Sequence, residues 1–165
     1  MKKQEGMSMI ILIVVIVAIM IISVVIANYA KVMIEEKELQ DLRTNMLFIQ
    51  AEAKKGLEEV CFQTANLDAS KEEDATKISQ VKQENLKGVP LQGTEAENSM
   101  PEDIEIDENC YYLDEETLNE MGVKDLKLDK YGYFVVKYDF TNVNVEVIST
   151  KGYEGKYTLT QLTEE

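Results

Sequence analysis

The residues able to do chemistry in this chain are few. It contains no histidine, so the commonest general base, nucleophile activator and zinc ligand is missing. No Walker, Rossmann or G-x-S-x-G pattern occurs. Glu102, Asp103, Glu105, Asp107 and Glu108 are hard oxygen donors of the kind calcium takes six to eight of, but they lack the D-x-[DN]-x-[DN]-G spacing of a calcium loop and read as a solvated run. The expectation is therefore no enzyme, no cofactor and no metal. That leaves two cysteines, Cys61 and Cys110. In an oxidising compartment they can pair, and closing the loop between them would stabilise the fold by ~4 kcal/mol in the chain-entropy account. Two separate, buried, reduced thiols are an equal alternative.

The elements that would carry these residues begin with residues 7 to 27, MSMIILIVVIVAIMIISVVIA, an uncharged run in which thirteen of 21 residues are Ile or Val. In water that composition favours strand, but in lipid the backbone must satisfy its own hydrogen bonds, and at ~1.5 Å per residue a helix of this length covers a ~30 Å hydrocarbon core. A cleaved secretory signal would be shorter and end in a small-x-small site, whereas Asn28, Tyr29, Ala30 and Lys31 follow. Lys2 and Lys3 precede the span, which places the N-terminus in the cytoplasm and the rest outside. Beyond the span Leu39, Leu42, Met46, Ile49, Ala53, Leu57 and Val60 recur at three- and four-residue steps, one stripe of a helix. The reading is a single helix of about 50 residues, by the absence of any breaker, half in lipid and half packed by its stripe on the protein's own domain or, as the second choice, on sister helices.

The remainder holds one small external domain. Ser70 and Glu73 form a capping-box pattern ahead of Ile78, Val81 and Leu86, with Gly88 and Pro90 as stops, which predicts a short helix over 71–87. Residues 88–105 read as a polar loop. From Cys110 a compact unit begins. Asp114 caps a short helix with Leu118 and Met121 inward and Gly122 at its end. Phe134, Val136, Tyr138 and Phe140 alternate, as do Val143, Val145 and Val147. With Thr141–Asn142 as a two-residue turn, 140 faces 143, 138 faces 145 and 136 faces 147, which puts all the apolar pairs on one face and Lys137 on the other, where an acid should be tolerated. A third strand falls over 156–159. The fold class is α+β. Formal charge is −14 over 165 residues, and such a surface repels phosphates, so nucleic acid is not an expected partner.

A short basic leader ending in Gly6, then Met7, Ser8, Met9 and Ile10 opening a membrane helix that continues as an amphipathic stem, resembles the prepilin layout of type IV pilins and type II secretion pseudopilins. Ile11 stands at the fifth position after Gly6, where most of that family has glutamate. Pilin-like proteins of Gram-positive anaerobes resembling clostridia also lack it, and their carboxyl ends are similar in the order helix, alternating strand (here F-x-V-x-Y, Phe134 to Tyr138), turn, V-x-V. The resemblance implies cleavage between Gly6 and Met7 by a prepilin peptidase, N-methylation of Met7, and assembly of sister subunits into a filament by an ATPase and a platform protein. It divides the chain into a leader (1–6), a transmembrane helix (7–30), its amphipathic continuation (31–62), an acidic linker with a short helix (63–109) and a small α+β unit (110–165). Outside that family, the same layout fits an uncleaved single-pass membrane protein with an extracytoplasmic protein-binding domain.

Overall fold

In the computed structural model, which describes residues 9–123 and 128–164, the long helix is one element, α1 (Met9–Thr64). No Gly or Pro interrupts it before Gly56, so every i→i−4 bond can form. The chain divides into two compact units, residues 1–40 and 41–165.

In the second unit the stripe of α1 is core. Leu42, Met46, Ile49, Ala53 and Leu57 are fully buried and Val60 is 1% exposed. At about 1.5–3 kcal/mol for each large apolar side chain removed from water, this stripe is the main attachment of the helix to its domain. The helix α2 (Glu72–Asn85) follows. Its start differs from the capping box expected at Ser70: the N-cap is Lys71, with no side-chain cap. Asp68 turns the chain instead, its Oδ1 accepting from the Ser70 N–H at 3.0 Å, while Asp74 Oδ2 accepts from the Asp68 N–H at 3.2 Å. The Ser70 N–H, which a capping box would give to the Glu73 side chain, goes to Asp68 instead.

The sheet has five antiparallel strands in sequential order: β1 (Val89–Pro90), β2 (Cys110–Leu113), β3 (Phe134–Asp139), β4 (Asn144–Tyr153) and β5 (Lys156–Thr158). The expected hairpin register is correct, with Tyr138 opposite Val145 and Val136 opposite Val147. Its loop is longer than expected. Pairing ends at Asp139 and Asn144, and Val143 takes a positive φ of 49°. A two-residue type I′ turn needs φ > 0 at both Thr141 and Asn142. The chain uses Asp139 instead, whose Oδ1 accepts from the Thr141 and Asn142 N–H groups at 2.9 and 3.0 Å.

Alternation sorts the sheet into two faces. Leu113, Phe134, Val136, Tyr138, Val145 and Val147, each at most 1% exposed, lie on the face towards the helices. Tyr138 shows the contact directly, its hydroxyl donating to the Lys87 carbonyl at 3.0 Å and accepting from the Lys87 N–H at 2.9 Å just past α2. On the opposite face Cys110, Val135 and Ile148 form a second apolar cluster with Leu91 and Ala96, flanked by Met100, Ile104, Tyr112, Tyr133 and Tyr157. Residues 88–105, expected as a free polar loop, thus cover the outer face of the sheet.

Three short helices complete the unit. In α3 (Glu115–Glu120) the Asp114 side chain accepts from the Thr117 N–H at 2.8 Å, as the capping pattern predicts, and Leu118 is buried. The single turn α4 (Leu128–Tyr131) leads into β3. The last, α5 (Leu159–Thr163), begins with a capping box from Thr158 and Gln161 and buries Leu159 and Leu162.

Candidate membrane segment and domain surfaces

The first candidate site is a solvent preference. Within Ile16–Thr64 the most apolar stretch has a mean hydropathy of 2.2, and none of it is buried. Ile16, Met20, Val24, Ile26 and Tyr29 are 43–70% exposed, and apolar side chains ring the helix on every side. A helix apolar all round needs an apolar environment around it. The Ser23 hydroxyl is satisfied internally, its Oγ donating to the Ile19 carbonyl at 2.8 Å. The helix is long and apolar enough to cross a membrane. Gly6 and Met7, the residues of the expected cleavage, lie outside the described residues.

Both cysteines are free thiols. Cys61 is half-buried near the end of α1, and Cys110 is buried in the outer-face cluster of the sheet. Burial pushes both thiols up from their ordinary value, which disfavours the thiolate needed to start disulfide exchange. In the structure the two stand as separate thiols, Cys61 on α1 and Cys110 in the sheet cluster.

The acidic run is partly committed to internal contacts. Asp107 Oδ1 accepts from the Asn109 N–H at 2.9 Å, and Oδ2 pairs with Lys137 Nζ at 2.9 Å. Burial acts to raise the Asp107 carboxyl, but the hydrogen bonds from Lys137 and Asn109 outweigh it and hold the group below its usual value. Lys137 Nζ also donates to the Glu105 carbonyl at 3.1 Å. Lys137 thus lies on the face opposite Tyr138, as expected, but it is paired there, and an acid in its place would face Asp107. Among the described residues no cluster of three or more His, Cys, Asp or Glu side chains is arranged to hold a metal ion.

A second stripe on α1, missed in the sequence, lies off the buried one, with the Phe48 ring beside Gly122 at the end of α3. Leu47, Phe48 and Phe62 are 49%, 44% and 79% exposed, and helical spacing sets Phe48, Ala51, Lys55, Glu58 and Phe62 along one side, opposite the buried stripe. The signal was present, since two phenylalanines fall half a turn out of step with Met46, Ile49 and Ala53.

Asp114 and Asp139 both lie below the usual carboxylate value, held there chiefly by the hydrogen bonds of Thr117 and of Asn142. A group whose folded pKa is depressed stabilises the fold fully above its unfolded value, here near 3.8, and loses that contribution as pH falls through the folded value. Thermal melts of a fragment from residue 32 onward should show the gap between parent and Asp114→Ala or Asp139→Ala widest near pH 7. The gap should narrow below about pH 4. A gap that widens in acid would contradict these roles.

No family model matches the chain, and no curated protein or solved structure matches it.

Proposed function

We propose that the chain is a structural subunit of a type IV pilus-like or pseudopilus filament, processed by a prepilin peptidase after Gly6 and stored in the membrane as a single-pass protein before assembly. The observation that carries this reading is the continuity of α1, which runs from an apolar, unburied segment near the N-terminus to the buried spine of a small antiparallel domain. In a filament the apolar halves bundle at the centre and the acidic domains, carrying most of the −14 charge, form the exterior. Leu47 and Phe62, exposed on α1, supply a surface for sister helices. The basic leader sets the N-terminus in the cytoplasm and the domain outside.

Ile11 in place of the usual glutamate favours keeping a second reading, an uncleaved single-pass protein whose external domain binds a protein partner. Processing separates the two. Intact-mass measurement on protein from its native host should give a chain starting at Met7, methylated at its amine, and Gly6→Val should leave Met1 or Lys2 at the N-terminus. An uncut parent chain in cells with an active prepilin peptidase selects the second reading.

A further inference from the structure

Residues 89–109 cover the outer face of the sheet with few attachments. They contain seven acidic residues and no basic one, on a chain that is itself strongly acidic. Only Leu91 and Ala96 in this stretch are fully withdrawn from water, while Val89 and Ile106 are 42% and 40% exposed. Four of the segment's backbone bonds are its own: Thr94 to Leu91, Ser99 to Ala96, Met100 to Glu97 and Ile104 to Pro101. These would move with it. Its ties to the sheet are two ladder pairs, Val89 with Tyr112 and Pro90 with Tyr111, the Leu91 N–H to the Cys110 carbonyl at 2.9 Å, the Cys110 N–H to the Asp107 carbonyl at 3.2 Å and the Asn109 carbonyl accepting from the Tyr138 N–H at 3.0 Å. Side chains add Tyr133 Oη to Glu95 Oε2 at 3.2 Å and the Lys137 ammonium to Asp107 and the Glu105 carbonyl. The opposite face is held by six α1 residues at most 1% exposed.

We propose that residues 89–109 are a strap that opens as a unit before the rest of the domain unfolds, with Lys137 as its clamp. The lopsided burial makes the strap the least stable part of the unit. Mutual repulsion of its carboxylates with the rest of the domain favours release, and Lys137 opposes it. Opening uncovers Cys110, Val135 and Ile148 with their tyrosine flank, and removes β1 from the edge of β2 at Tyr111 and Tyr112. The inference stands apart from the filament reading and fails separately from it.

Cys110 reports the opening. The full chain in detergent micelles is pulsed with N-ethylmaleimide across a urea series, and adducts at Cys110 and Cys61 are resolved by peptide mass spectrometry. Since denaturant slopes scale with the surface exposed, Cys110 labelling at low urea should follow a slope under about half that of global unfolding measured by circular dichroism. Lys137→Met should raise Cys110 labelling about three- to tenfold at low salt, the range for losing a half-exposed ion pair and a charge-assisted hydrogen bond, with Cys61 unchanged. Cys110 labelling that tracks global unfolding at every urea concentration, or that is unaffected by Lys137→Met, overturns the proposal.

Discussion

Tyr138→Asp should unfold the domain or destabilise it by several kcal/mol, the cost of a charge in an apolar site without a counter-ion. Tyr138 is 1% exposed, its ring meets Tyr111 edge-on at 5.3 Å, and its hydroxyl is shared between the N–H and carbonyl of Lys87. Burial already drives its phenol far up from the ordinary value, a sign of how poorly the site accepts a negative group. Tyr138→Phe keeps the packing and leaves the Lys87 backbone groups without that partner, so a loss of about 1–3 kcal/mol is expected. Lys137→Asp, one residue away on the other face, loses the clamp to Asp107 and should cost less than Tyr138→Asp. Urea melts of a fragment from residue 32 onward rank the three. If Lys137→Asp proves the more damaging of the two acids, the assignment of sheet faces is wrong.

Gly56→Ala should destabilise the same fragment, against the usual direction. In an exposed helix interior the change gains about 1 kcal/mol, because glycine loses more backbone freedom on folding. Here a Cβ at position 56 would fall well inside van der Waals contact of the Asn85 carbonyl oxygen, with Leu86 Cα at 3.8 Å. The clash is with backbone, so α1 and the end of α2 must separate. Overpacking of this kind costs about 1–3 kcal/mol or more, which exceeds the propensity gain. A Gly56→Ala domain with a raised melting temperature would show that α2 does not close on α1 at this point.

The parts of the fold legible in the sequence are those where one physical rule acts alone. The stripe Leu39 to Val60 has a clean helical period, and its six positions from Leu42 onward are buried while Leu39 is only partly so. The pairs Tyr138–Val145 and Val136–Val147 follow from alternation, because a slip by one residue would turn every valine outward. The Asp114 cap and the Gly122 stop, at φ 82°, are local chemistry. What stayed hidden depends on partners distant in the chain. β2 is the four residues CYYL, too short for a period to show, and it exists because β3 pairs with it. β1 is two residues ending in proline, a composition that argues for a turn. Leu91 and Ala96 sit in a polar, turn-rich stretch, and only the second face of the sheet gives them a place to be buried. Of the candidate site residues, the apolar span and the second stripe can be placed on α1. Gly6 and Met7 gain nothing from the fold, because their role rests on recognition of a short segment by another protein.

The filament reading predicts where the protein ends up in the cell. Surface filaments sheared from the native host, separated from membranes and probed with antibody against the domain, should contain the chain. Gly6→Val should shift it wholly to the membrane fraction while the domain stays folded. If the parent chain never leaves the membrane fraction under conditions in which the host's other pilins assemble, the chain is not a filament subunit and the single-pass binding protein takes its place.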